Sequence, residues 1–74
     1  MTEELRIKAQ EAGVRKAMVA YVKGSEAKTK KEKRIASSAF LSGAGKVAYN
    51  TGQEILWKAI CRVGQEEGFE QAGE

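Results

Sequence analysis

Apolar residues recur along this chain at three- and four-residue spacing in three separate stretches, each preceded by a residue able to cap a helix. From Thr2 to Lys23 helix formers dominate. Thr2 stands in a capping position, and Glu3 and Glu4 fall in the first turn, where carboxylates favour the positive end of the helix dipole. Gly24-Ser25 supplies a stop. Gly13, which costs a helix up to about 1 kcal/mol relative to alanine, marks a bend or a close approach. A second helix starts at Thr29-Lys30-Lys31-Glu32, whose Thr and Glu fit a capping box. It runs to about Ser42 or, through Gly43-Ala44-Gly45, to Ala48. A third start, Thr51-Gly52-Gln53-Glu54, repeats the pattern ahead of Ile55-Leu56-Trp57, and that helix ends between Gly64 and Gly68. No run of β-branched and aromatic residues alternates with polar ones, so a sheet has no support. The prediction is an all-α, three-helix fold over about 3–23, 30–48 and 52–66. It forms one domain across residues 1–74, with Phe69 to Glu74 a frayed acidic tail.

Projection at about 100° per residue separates the roles of the helices. Ile55, Leu56, Ala59, Ile60 and Val63 fill one arc of the third, with Trp57 and Cys61 beside it and Glu54, Lys58, Arg62 and Gln65 opposite, which makes it the most buried element. The second carries a narrower stripe of Ile35, Ala36, Ala39, Phe40, Gly43 and Val47, whose small members let a neighbour approach closely. The first is two-faced. Ile7, Val14, Met18 and Tyr21 lie along one side, and Leu5, Ala12 and Val19 along another. The interleaved Arg6, Lys8, Glu11, Arg15 and Lys16 need water, and two short helices can hardly cover both stripes. Leu5, Ala12 and Val19 are therefore expected to form a self-association face, and the chain a homodimer.

Composition reinforces that expectation. A 74-residue chain buries only roughly 60% of the surface its unfolded form exposes, and the single Cys61 cannot form an intramolecular disulfide, so association is the natural supplement to a thin core. No stretch approaches the roughly 20 apolar residues that cross a bilayer, and Met1-Thr2-Glu3-Glu4 is acidic where a signal peptide is basic. The expected location is the cytoplasm, without a membrane. Charge is divided unevenly: residues 1–46 hold 11 Lys/Arg against 5 Glu, and residues 47–74 hold 2 against 5. A basic front suits an anionic partner, and an acidic end a solubilising or self-contacting role.

The chain contains no histidine and no aspartate. Hydrolytic triads, histidine acid/base chemistry and the usual zinc sites are thereby excluded, and the expectation is a non-enzymatic protein with no cofactor and no metal. Cys61, four residues after Trp57 on an apolar helix, reads as a buried structural thiol. Gly43-Ala44-Gly45-Lys46 lacks the earlier glycine and the following Ser/Thr of a phosphate loop, and it reads as a helix end. A helix-turn-helix would need apolar residues where Ser38, Ser42 and Gly52 stand.

The strongest functional signal is the cluster Lys28, Lys30, Lys31, Lys33 and Arg34. If Thr29 caps the second helix, Lys30 and Lys31 occupy the first turn, where positive charge opposes the dipole by a few tenths of a kcal/mol or more. An anion there would relieve the mismatch. Base stacking is unsupported, because no aromatic residue is interleaved with the lysines. The expected partner is nucleic acid, contacted through phosphates with tolerance of sequence. The alternative is an acidic protein surface, met by the same lysines in a small regulator or inhibitor.

Overall fold

The computed structural model describes residues 2–69, and among them the chain forms three helices and no strand: α1 Glu3–Gly24, α2 Lys30–Asn50 and α3 Glu54–Glu66. Residues 70–74 of the expected acidic tail lie outside the described part. Thr2 caps α1 as its position suggested, its hydroxyl accepting from the Leu5 N–H at 3.2 Å. Thr29 and Glu32 close a reciprocal capping box on α2. The helices run up, down and up. Glu3 meets Lys58 and Arg15 meets Glu66, so α1 and α3 lie parallel, while Tyr21 on Phe40 and Tyr49 on Trp57 fold α2 back between their ends.

All three helices end by the same device, a residue of positive φ just past the cap. After α2 it is Gly52 (φ 73°), with the Gln53 N–H donating to the Ala48 carbonyl at 2.9 Å. After α3 it is Gly68 (φ 85°), with the Phe69 N–H donating to the Gly64 carbonyl at 2.8 Å. After α1 the position falls to Glu26 (φ 61°). The stop read at Gly24-Ser25 falls there, with Gly24 the last helical residue and Ser25 the cap.

The core joins Ile7, Val14 and Met18 of α1, Leu41 and Ala48 of α2, and Ala59, Ile60 and Val63 of α3, with Phe40, Ala44, Ile55, Leu56, Trp57 and Phe69 packed at its edge. The arc expected on α3 and the inner face of α1 are both in place, although Tyr21 stays largely exposed.

Several expectations are corrected. The capping box assigned to Thr51-Glu54 does not form: Thr51 closes α2, its hydroxyl donating to the Val47 carbonyl at 2.7 Å, and Gln53 precedes α3 without a side-chain cap. Of the two ends left open for α2 the later one holds, since the helix continues through Gly43-Ala44-Gly45 to Asn50, where Gly45 and Ala48 pack inward and offset the low helix propensity of glycine. The fully buried residues of α2 are Leu41, Gly45 and Ala48; of the expected stripe only Ala36 and Phe40 turn partly inward, Phe40 against the core, while Ile35, Ala39, Gly43 and Val47 face outward. Gly13 makes no close approach, since nothing lies within 4 Å of where its Cβ would stand. Glu11, read as needing water, is only 6% exposed, with the Arg15 guanidinium 3.6 Å from its carboxylate. Phe69 is not frayed: its ring is half-buried against the core and under Arg34.

Candidate functional site

The last turn of α1, the α1–α2 turn and the first turn of α2 gather Lys23, Lys28, Lys30, Lys31 and Lys33 at one end of the molecule, all exposed. None of the five forms an ion pair among the described residues. The glutamates are largely committed elsewhere, along the α1–α3 seam. Lys58 bridges Glu3 at 2.8 Å and Glu54 at 3.4 Å, and Arg62 grips both oxygens of Glu4. Arg15 joins Glu66 and Glu11. Hydrogen bonding from Arg62 holds the Glu4 carboxyl below its ordinary range, and the same contacts push Arg62, Lys58 and Arg15 up. The seam thus holds Glu3, Glu4, Glu11, Glu54 and Glu66, and at the hairpin tip five lysines stand beside Glu26 and Glu32.

Lys30 and Lys31 do occupy the first turn of α2. That turn, however, is not an open anion site. The Glu32 carboxylate accepts from the Thr29 N–H at 3.2 Å, and the Thr29 hydroxyl accepts from the Glu32 N–H at 3.1 Å. These bonds hold Glu32 well ionised, so a carboxylate of the chain itself already offsets the dipole. What this turn presents to solvent is the lysine side chains rather than an open helix end.

Arg34 stands apart from the lysines. Its guanidinium lies 4.4 Å from the centroid of the Phe69 ring and donates to the Glu67 carbonyl at 3.1 Å, so it fastens the end of α3 to α2. Nothing along the chain signals this role, because Phe69 lies 35 positions away in a stretch read as frayed.

A groove that linear spacing does not reveal lies beside the lysines. Met18, Val19, Val22 and Ala27 floor this space of about 440 Å³, and its rim carries Lys23, Lys33 and Ser37. Val19 of the expected self-association stripe and Lys33 of the basic cluster thus belong to one surface. Leu5 (54% exposed), Ala12 and Val19 (63% exposed) are all uncovered.

Among the described residues no group of three Cys, Asp or Glu side chains converges as metal ligands would, and no helix is long and apolar enough to cross a membrane. Comparison with protein-family models, curated protein sequences and solved structures returned no significant match to this chain.

Proposed function

We propose that this chain is a small non-enzymatic binding protein whose hairpin tip contacts nucleic-acid phosphates with little regard to sequence. The observation that carries the reading is the partition of charge: five exposed lysines at the tip have no ion-pair partner among the described residues, while the seam ties up the glutamates of α1 and α3. Lysine ammonium groups on flexible stems suit phosphates as point charges, and the absence of an aromatic platform among them fits contact with the backbone rather than with bases. Arg34 serves the fold in this reading and adds little to the contact.

A second reading, an acidic protein partner, is favoured by the groove. Its apolar floor offers nothing to a phosphate, whereas an amphipathic acidic helix would lay leucine-like side chains on Met18 and Val22 and carboxylates on Lys23 and Lys33. Fluorescence anisotropy separates the two. Similar affinity for two unrelated short duplexes, falling steeply with salt, supports the phosphate reading. Failure to bind either duplex at low salt, with capture of an acidic amphipathic peptide, replaces it with the second.

A further inference from the structure

Two apolar helix faces remain uncovered: Leu5-Ala12-Val19 on α1 and Ile35-Ala39-Gly43-Val47 on α2, where Ile35 and Val47 are 60% and 61% exposed. Charge decides which of them can meet a second copy of this chain. When two identical helices cross antiparallel about a two-fold axis, residues equally far from the axis residue in opposite directions face one another. On α1 an axis at Ala12, midway between Leu5 and Val19, sets Lys8 against the partner's Lys16 at both ends of the contact, and no glutamate shares that face. Like charges there oppose pairing.

On α2 the outcome is reversed. Glu32, Ala39 and Lys46 follow one another at seven-residue spacing in line with the uncovered stripe, and all three are exposed. An axis at Ala39 sets Glu32 against the partner's Lys46, and Lys46 against the partner's Glu32. It also seats Ile35 over the partner's Gly43, above which nothing lies within 4 Å of a Cβ position, and runs Val47 along the stem of the partner's Lys31. Ala39 and Gly43 keep the centre thin enough for axes about 8 Å apart. The capping box engages Oε1 of Glu32 and leaves its other oxygen for an ion pair.

We propose that α2 pairs antiparallel with α2 of a second copy about a two-fold axis at Ala39, held by the apolar stripe and two Glu32–Lys46 ion pairs. The pairing accounts for a mid-helix glycine, Gly43, that no contact within one chain requires. It does not rest on the phosphate reading, and it assigns self-association to α2 rather than to the Leu5 face.

Cross-linking and charge exchange test it together. Under mild oxidation, Ala39→Cys should give a disulfide between two copies, identified by mass spectrometry with Cys61 as internal control, and Ala12→Cys should give none. By sedimentation equilibrium, Lys46→Glu and Glu32→Lys should each weaken association by roughly tenfold or more, whereas their equimolar mixture, which rebuilds both ion pairs, should recover it. Mixing cannot restore the capping box that Glu32→Lys removes, so recovery reports the interface and not the fold. Glu32→Gln, which keeps the capping geometry, should weaken association at an unchanged helix content. A wild type that stays monomeric at the highest concentration, a cross-link through position 12 instead of 39, or a mixture no tighter than its components overturns the proposal.

Discussion

Glu26 holds the left-handed position that glycine fills at the other two helix ends. That conformation costs a side chain with a Cβ about 1 to 2 kcal/mol, and a glycine there loses part of the gain to the extra freedom of the unfolded chain. Glu26→Gly is therefore expected to stabilise the protein by about 0.5 to 1 kcal/mol, which for a chain of this size raises the melting temperature by several degrees. An unchanged or lower midpoint contradicts the strain. Gly13→Ala should act in the same direction by up to about 1 kcal/mol, because the site is exposed and open. Arg34 and Lys31, neighbours in one basic run, should part company. Arg34→Gln removes the stack on Phe69 and should lower the melting temperature with little effect on anion binding, and Lys31→Gln should do the opposite.

Among the elements, α3 was the most legible. Its apolar arc had no rival on the same helix, and Ala59, Ile60 and Val63 are buried as the spacing indicated. Ile60→Ala should cost about 2 to 5 kcal/mol, the range for truncating a large core side chain, and a thermal melt with an unchanged midpoint would remove α3 from the core. The face of α2 is only partly legible because two stripes compete at helical spacing, Ile35-Ala36-Ala39-Phe40-Gly43-Val47, of which only Ala36 and Phe40 turn inward, and Leu41-Gly45-Ala48. Counting apolar residues favours the first, while the approach of α3 selects the second, which is small apart from Leu41. Thr51-Gly52-Gln53-Glu54 satisfies a capping box as a string, yet the same threonine is used to close the preceding helix, and local pattern alone does not decide between the two. The two-faced character of α1 was legible because each of its stripes extends over about four turns. The cross-helix ion pairs were not, since register between helices is a property of packing.

At the scale of the whole molecule, the α1–α3 seam closes the bundle, and the lysines of the hairpin tip make one end of it basic. Glu4 and Glu32 have folded pKa values below the ordinary value near 4.5, so their contribution is complete above that pH and is lost as pH falls through the folded values. Lys58 is shifted the other way, from 10.5, and its contribution is lost only as pH rises through the raised value. With no histidine, melting temperature should stay level from about pH 5 to 9 and fall below about 4.5. Glu4→Gln should lessen the acid loss, and a decline already under way at pH 6 to 7 would contradict this assignment. The basic tip itself was visible in the sequence as a lysine run, but not the groove beside it, the Glu32 carboxylate at its base, or the diversion of Arg34 to the fold. The central claim, that the tip lysines contact phosphates, is tested most directly by the salt dependence of duplex binding in a chain carrying Lys30→Gln, Lys31→Gln and Lys33→Gln. The fold should persist, and the slope of log affinity against log salt should shrink by roughly 0.9 for each phosphate that is no longer neutralised. A triple variant that binds duplex as tightly as wild type at low salt, with the same slope, would contradict it.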